Sequence, residues 1–314
     1  MEAALTRSRP VAALSLAALL AGAASARPQE LPAKQADLLA KLRARVQAVD
    51  ARLDGILGVY IRDLATGATV ELRPDEVFPT ASSIKLAVLY ELFRQAEEGR
   101  LDLEEITRPP LPRVHGSGIL QDLSDDVSLT WRDLAVLMHV LSDNEAANVL
   151  IRRVGIDAVN RRLDTLALPR TRLRRQMMDL DAARRGEENV STPREMVRLA
   201  ELLARGEGLS APRATDLLAV ASLPDSGSSF RRSLPEGVRA VNKAGELEGV
   251  RCDAGWVDVP GRPYSAAIMT AYLRREADGE AAIAEISAAA YETFDRLARS
   301  SEYGRIVSER DTAK

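Results

Sequence analysis

The sequence has few residues that ligate metals or form disulfides. It contains one cysteine, Cys252, and two histidines, His115 and His139. A lone cysteine excludes an internal disulfide, and a chain of this length buries enough core to need none. So few soft ligands disfavour a zinc site and leave little room for a Ser-His-Asp triad. His139 falls in an apolar helical pattern and His115 in a glycine-rich loop, so both are interpreted as structural. We expect no metal and no organic cofactor.

Lysine is also scarce, because arginine is used nearly everywhere that a positive charge is needed. Arginine does not give up its proton in proteins, whereas lysine can when its pKa is lowered. A lysine inside a motif is therefore informative in this chain. Of the 43 basic residues only five are lysines: Lys34, Lys41, Lys85, Lys243 and Lys314.

No excess of positive charge points to nucleic acid as a partner. The 43 basic residues face 46 acidic ones, which gives a net charge of −3, whereas nucleic-acid binding needs a basic patch or excess. Composition also gives no sign of a protein partner, so a monomer is the expectation.

Long apolar runs are absent except near the start. Arg7 and Arg9 precede an apolar run from Val11 to about Leu20, and small residues end at Ala24-Ser25-Ala26. This is the pattern of a secretory signal peptide, which predicts cleavage after Ala26 and a periplasmic or secreted protein. The run is too short to favour a membrane anchor, and no later stretch approaches membrane-spanning length, so we expect no stable membrane insertion.

The most informative stretch is FPTASSIK, residues 78–85, in which Ser82 precedes Lys85 by three positions. An apolar run follows, which predicts a helix to about Glu97, and residues three apart share a helix face. Ser82 Oγ and Lys85 Nζ are therefore expected to approach each other. A serine hydroxyl becomes a useful nucleophile when a base takes its proton, and a lysine of lowered pKa can be that base. Alone, the motif also fits an ordinary capped helix start.

The hydrophobic pattern predicts strands at both ends of the chain and helices between them. A hairpin is expected over residues 56–72, three strands over 238–273, and amphipathic helices over 31–53 and 279–299. The predicted fold is α+β: an antiparallel sheet built from both chain ends, residues 27–80 and 226–314, flanked by the terminal helices. An all-helical subdomain, residues 81–225, is inserted into it, and the whole forms one catalytic domain.

Two further motifs follow Ser82 and Lys85 in order, Ser142-Asp143-Asn144 and Lys243-Ala244-Gly245. Separately, the first fits a helix junction and the second an ordinary strand. Together the three motifs resemble those of the penicillin-recognising serine enzymes, and the chain looks like a divergent class A β-lactamase. The resemblance extends over nearly all of the chain beyond residue 26. It includes FPTASSIK, LMHVLSDNEAANVLI and LPEGVRAVNKAGE.

The resemblance implies a role for each motif residue. Ser82 would be acylated, Lys85 would help to remove its proton, and Ser142 would pass a proton to the leaving nitrogen. Lys243 would place a positive charge near the substrate carboxylate. The remaining implied substrate contacts are the side chain of Asn144 and strand positions Gly245 and Glu246, with the N–H groups of Ser82 and Glu246 forming an oxyanion hole.

Two positions depart from the class A pattern. The family carries a loop glutamate that activates the deacylating water, and Met177 occupies its place in residues 175–181. Methionine cannot accept a proton, so Asp179 or Asp181 is the candidate replacement; otherwise deacylation is slow. In the third motif Ala244 replaces a hydroxyl residue that would bind the substrate carboxylate, and Arg251 is a candidate to compensate.

The predicted function is therefore that of a serine β-lactamase that works through an acyl-enzyme on Ser82, with β-lactams or peptidoglycan-like molecules as substrates. The first alternative is a D-alanyl-D-alanine peptidase or esterase, or a penicillin-binding protein, that β-lactams acylate and that deacylates slowly. Met177 and Ala244 both favour this alternative. The second is a penicillin-binding sensor or scaffold without turnover, which the intact set of reactive serines and lysines disfavours.

Overall fold

A computed structural model describes residues 31–301 and 303–306. The predicted signal peptide lies outside these residues. The strands are β1 (Ile56–Asp63), β2 (Thr69–Leu72), β3 (Phe78–Pro79), β4 (Ile106–Thr107), β5 (Leu129–Thr130), β6 (Val190–Ser191), β7 (Ala240–Leu247), β8 (Val250–Val257) and β9 (Tyr264–Ala271). The helices are α1 (Ala33–Arg52), α2 (Lys85–Glu97), α3 (Trp131–Val140), α4 (Asn144–Val154), α5 (Ile156–Thr165), α6 (Leu180–Arg184), α7 (Pro193–Arg205), α8 (Ala211–Ala221), α9 (Ser229–Arg232) and α10 (Glu276–Ala298). Short 3-10 helices span Ala81–Ile84 and Leu120–Asp122.

The main sheet has five antiparallel strands in the order β2-β1-β9-β8-β7, so it joins the two ends of the chain as the sequence predicted. The hairpin β1-β2 pairs Val59 with Leu72. Strand β9 is buried along its whole length. Its sequence is accordingly a nearly continuous run of small and apolar residues, because helices cover both faces of the sheet. The prediction of an α+β fold is confirmed.

Helices α1 and α10 cover one face of the sheet. Leu42 and Val46 of α1 pack with Ile61 of β1 and with Ile286 of α10 in one buried cluster. The alanines of α10 allow this helix to approach the sheet closely, and Phe294 stacks on Tyr264 with ring centroids 4.5 Å apart. Helices α1 and α10 therefore form a layer that buries this face of the sheet.

A second buried cluster fills the space between the opposite face of the sheet and helices α2, α3, α4, α5, α7 and α8. Helix α2 is its centre, because eleven of its thirteen residues are buried. It begins beside β7, which brings the first and third motifs together. The division into subdomains at residues 80 and 226 stays a prediction.

Local structure differs from the sequence-based expectation in two places. The Ser82 segment is a 3-10 helix with no side-chain cap, and the α-helix begins only at Lys85. The charged loop of residues 168–191 contains the short helix α6 and strand β6. Within residues 31–301 and 303–306, no helix combines the length and apolar character that crossing a bilayer requires.

Candidate active site

Ser82 is presented by a strained turn. The residue before it, Ala81, has a left-handed backbone with φ of 47°, a conformation that costs a non-glycine residue on the order of 1 kcal/mol. Ser82 itself is partly exposed, lines a cavity, and makes no side-chain hydrogen bond within the described part of the chain. Its hydroxyl is therefore free to react. As the second residue of the 3-10 helix, it also lies among the first N–H groups, which lack intrahelical partners.

Contacts from two directions hold this turn. Thr80 donates from N and Oγ1 to Asn189 O at 2.9 and 3.0 Å, which joins the turn to the 168–191 loop. From the sheet, the Cys252 thiol donates to Thr80 O at 2.8 Å and lies 3.1 Å from Ser83 Oγ. A Cβ at Gly245 would lie 2.3 Å from Thr80 O. Glycine at position 245 therefore allows β7 to pack directly against the nucleophile turn.

Lys85 is 1% exposed and reaches the second motif. Its Nζ donates to Ser142 O at 2.6 Å, to Ser142 Oγ at 3.2 Å and to Asn144 Oδ1 at 3.0 Å. Burial, and then the charge of Lys243, lowers the pKa of Lys85 well below its ordinary value. A lysine whose pKa is lowered in this way loses its proton more readily, and its neutral amine can take a proton from a hydroxyl.

Ser142 also has a left-handed backbone, with φ of 53°. The following residue, Asp143, stabilises this strained backbone conformation. Its buried carboxylate accepts hydrogen bonds from the backbone N–H groups of Ile119, Leu120 and Ala146 at 2.7–2.9 Å. Asp143 thus joins the 116–120 loop to the start of α4, and Ser142 is fixed with its hydroxyl towards Lys85.

Lys243 is paired with an acid that the sequence reasoning missed. Its Nζ donates to Asp225 Oδ2 at 2.9 Å, and both side chains are 1% exposed. The same carboxylate oxygen accepts the Ala244 N–H at 2.7 Å. Asp225 precedes β7 in a Pro-Asp-Ser-Gly turn. The sequence distance between Asp225 and Lys243 does not indicate that the two side chains pair. The only sequence feature that could have identified Asp225 is the position of an acidic residue shortly before the strand that carries the third motif.

The motif residues surround one cavity of about 150 Å³. A larger cavity, of about 520 Å³, lies between the ends of α1 and α10 and contains none of the motif residues. The smaller one is the candidate active site because the reactive side chains converge there. Lys85 and Asn144 lie behind Ser142. Lys85 hydrogen-bonds to Ser142, and Asn144 accepts a hydrogen bond from Lys85. The lining residues are Ser82, Ser117, Leu141, Ser142, Asp225, Ser226, Gly227, Lys243, Ala244 and Glu246.

Arg251 does not reach this cavity. Its guanidinium pairs with Glu280 of α10 at 3.0 Å and donates to the carbonyls of Leu247 and Val250. Residues along a strand alternate between its two faces. Arg251 therefore points to the α10 side, while the next residue, Cys252, points to the nucleophile turn.

The two aspartates proposed as deacylation bases also lie away from the cavity. Asp179 accepts the Ala182 N–H at 2.9 Å and caps α6. Asp181 is exposed and pairs with Arg184 at 2.7 Å. Helix α6 was not expected from the sequence, and its formation uses Asp179 as a cap and places Asp181 on an exposed turn. This placement disfavours both as the base, and the role stays untested.

Met177 is held firmly in the loop. Asn148 of α4 accepts the Met177 N–H at 2.7 Å and donates to Met177 O at 3.0 Å. The Met177 side chain is 6% exposed and packs in the helical cluster. The position that the family pattern gives to a proton acceptor is therefore occupied here by a buried apolar group.

His139 is buried near the lysine-aspartate pair. Its Nε2 lies 3.1 Å from Leu223 O, in the segment that leads to Asp225. Burial, and then the charge of Lys243, lowers the pKa of His139 to about 4. The ring is thus neutral at physiological pH and fixes the end of α3 to this segment. In the described part of the chain, no group of three or more His, Cys, Asp or Glu side chains could hold a metal ion.

Comparison with known proteins agrees with this geometry. The profile of the beta-lactamase enzyme family matches residues 41–294. The chain belongs to this family. A β-lactamase of Streptomyces albus G is 34% identical over 236 residues, which cover 70% of this chain and 74% of that protein. The predictions of a class A-like serine hydrolase and of β-lactamase-type activity are confirmed at the level of the family.

Solved structures of the family share the fold. The β-lactamase of Sphaerobacter thermophilus is 30% identical, with a TM-score of 0.73, and the match covers 81% of this chain and 97% of that one. A glutamate-for-leucine mutant of PBP-A, solved as an acyl-enzyme complex with penicillin G, is 28% identical, with a TM-score of 0.74 and coverage of 83% and 97%. The structural relatives of this chain therefore include proteins named β-lactamase and a protein named PBP-A.

Proposed function

We propose that this family member opens β-lactam amides through an acyl-enzyme on Ser82. The observation that carries the proposal is the contact of buried Lys85 with Ser142 and Asn144 beside an unbonded Ser82 hydroxyl. The nucleophile Ser82 and a second hydroxyl, that of Ser142, line one small cavity, and the base Lys85 lies behind Ser142 and hydrogen-bonds to it. This is the arrangement that nucleophilic catalysis requires.

In the acylation step Ser82 Oγ bonds to the lactam carbonyl carbon and the C–N bond breaks. The Ser82 proton goes to neutral Lys85 and reaches the leaving nitrogen through Ser142, whose Oγ lies 3.2 Å from Lys85 Nζ. The backbone N–H groups of Ser82 and Glu246 stabilise the oxyanion. Water then adds to the ester, releases the acid and restores the serine.

Two positions support the assignment of a substrate-binding edge to β7. Gly245 allows close approach of the strand to the Ser82 turn, and Glu246 follows it at the exposed edge of the cavity. Asn144, which contacts Lys85, has its amide nitrogen beside Gly116 of the facing loop. A substrate side-chain amide would lie between that loop and β7.

A second candidate is a D-alanyl-D-alanine peptidase or esterase, or a penicillin-binding protein, that β-lactams acylate and that deacylates slowly. Buried Met177 favours it, because this side chain cannot activate water. The only carboxylates that line the described cavity are those of Asp225 and Glu246, and Lys243 and the Ala244 N–H occupy the Asp225 oxygen Oδ2. Acylation faster than deacylation is consistent with both candidates.

The two candidates differ in turnover. Hydrolysis of a chromogenic cephalosporin should be followed from the first milliseconds, with Ser82→Ala as the control. An initial burst of one equivalent followed by a slow steady rate supports a penicillin-binding acylase, and sustained turnover supports a β-lactamase. Absence of product from the wild-type protein would reject both.

The remaining attributes belong to the same proposal. We propose that residues 1–26 are a cleaved signal peptide, that the protein acts in the periplasm or outside the cell, where it contributes to β-lactam resistance or breakdown, and that it is a monomer without stable membrane insertion. A mass of the exported protein that begins at Arg27 would support the cleavage site, and a retained residue 1 would reject it.

A further inference from the structure

The charges at the candidate active site do not favour an anionic group. Three charged side chains line the described cavity: Lys243, Asp225 and Glu246. The Lys243 ammonium is 2.9 Å from the Asp225 carboxylate, and the two are buried together. Glu246 is exposed and has no ion-pair partner among residues 31–301 and 303–306. The unbalanced charge at the opening is therefore negative.

Two of the three groups that would hold a substrate carboxylate are missing or turned away. Ala244 has no hydroxyl, and its N–H is already bonded to Asp225. Arg251 is paired with Glu280 on the opposite face of the strand. A carboxylate beside Lys243 would therefore meet an ammonium that is already neutralised and a nearby glutamate.

Glu246 is oriented across the cavity. Its Oε1 lies 3.4 Å from the point that a Cβ of Gly227 would occupy, on the turn that carries Asp225. Gly227 has no side chain, so the space beside the carboxylate remains open to a ligand. A cation placed there would lie near Glu246 and near the outer side of the Lys243–Asp225 pair. At such partly exposed sites, the attraction between opposite charges raises the affinity by up to about fivefold.

We propose that the preferred substrates are acyl donors whose leaving group carries a positive charge rather than a carboxylate. This inference rests on the proposed acyl transfer to Ser82. The bond from Ser82 Oγ to the acyl carbon forms, and the bond to the leaving heteroatom breaks. The Ser82 proton goes to that heteroatom. β-Lactams, which carry a carboxylate, acylate the same serine but are disfavoured by charge.

Three phenylacetyl thioesters of similar size test this preference. Their leaving thiols are mercaptoacetate, mercaptoacetamide and thiocholine, which are anionic, neutral and cationic. Thiol release gives kcat/KM for each, after subtraction of the rate with Ser82→Ala. After each value is divided by the donor's rate with hydroxylamine, which corrects for the different basicities of the leaving thiols, we expect the cationic donor to exceed the anionic one by about tenfold.

Glu246→Gln identifies the source of the preference. The substitution keeps size and removes the charge, so the ratio of cationic to anionic rates should fall by about fivefold. Glu248→Gln is the matched control, because Glu248 is exposed in the turn that follows β7 and does not line the cavity. It should leave the ratio within twofold of the wild-type value.

The outcomes separate this inference from the proposed function. An equal rate for all three donors, or a faster anionic donor, would overturn the inference while acylation of Ser82 stands. A ratio of cationic to anionic rates that Glu246→Gln leaves within twofold of the wild-type value would overturn the assignment to Glu246. Failure of every donor, together with no penicillin adduct on Ser82, would overturn both.

Discussion

Lys243 Nζ donates to Asp225 Oδ2 at 2.9 Å, with both side chains almost fully buried. This pair joins the third motif to a turn 18 residues earlier in the chain. It places a fixed ammonium beside Ser142 in the cavity wall, and its burial makes the position of that ammonium dependent on one carboxylate.

Asp225→Asn should destabilise the protein, because it leaves the Lys243 ammonium buried without a counter-charge. Breaking a buried pair by removing one partner costs about 3 kcal/mol or more. Urea unfolding monitored by fluorescence gives the change. Asp216→Asn is the control: its side chain is 41% exposed and pairs with Arg132 on the surface, so a loss of about 1 kcal/mol or less is expected. Equal losses in the two variants would contradict a special role for the buried pair.

Acylation should depend on pH through Lys85. Burial, and then the charge of Lys243, lowers the pKa of Lys85 well below 10.5. Only the neutral amine accepts the Ser82 proton, so the acylation rate should rise with pH and level off well below pH 10.5. Single-turnover acylation by a fluorescent penicillin measures this profile. Lys85→Arg should remove the rise and slow the reaction by about a hundredfold or more. A wild-type rate that still climbs at pH 10 would refute the lowered pKa.

Met177→Glu should shorten the lifetime of the acyl-enzyme by a hundredfold or so, because a positioned general base contributes about that much. Asn148 holds the backbone of this residue and not its side chain, so the clamp survives the substitution. Intact mass after a penicillin pulse gives the lifetime. Met178→Glu is the matched control, since that neighbour is 45% exposed. The prediction fails if Met177→Glu, like the Met178→Glu control, loses the adduct at the same rate as the wild-type protein.

His139 should make stability fall as the solution is acidified. Burial lowers its folded pKa to about 4, against 6.5 for an ordinary histidine. Between these values the unfolded state binds more protons, so the free energy of unfolding decreases as pH falls from 6.5 towards 4. The loss attributable to His139 is about 3 kcal/mol. Guanidinium unfolding of the wild type and of His139→Gln over this range measures the difference. Parallel profiles would contradict the assignment.

The residues of the site that could be predicted are those fixed by local spacing. Ser82 and Lys85 lie one helical turn apart, and the chain's scarcity of lysine singled out Lys85. The paired strands and the terminal helices followed from hydrophobic periodicity, since each has one continuous apolar face or is buried on both faces.

What could not be predicted depends on through-space contacts and on strand faces. Asp225 meets Lys243 only after the turn and β7 fold together. Arg251 was a candidate to bind the substrate carboxylate in place of the missing hydroxyl, and the alternation of side chains turns it towards α10. Asp179 and Asp181 were the alternative candidates for the deacylation base, and the formation of α6 uses Asp179 as a cap. Each of these placements has a geometric cause that sequence distance does not contain, and the roles of these residues stay predictions.

The central claim is a covalent acyl-enzyme on Ser82. The most direct test mixes the purified protein with a small excess of benzylpenicillin, quenches in acid within seconds, and locates the mass increase by peptide mapping. The account predicts one penicilloyl group per chain, on the peptide that contains Ser82, and none on Ser82→Ala. An unmodified wild-type protein that also leaves the drug intact, or an adduct on another residue that persists in Ser82→Ala, would contradict it.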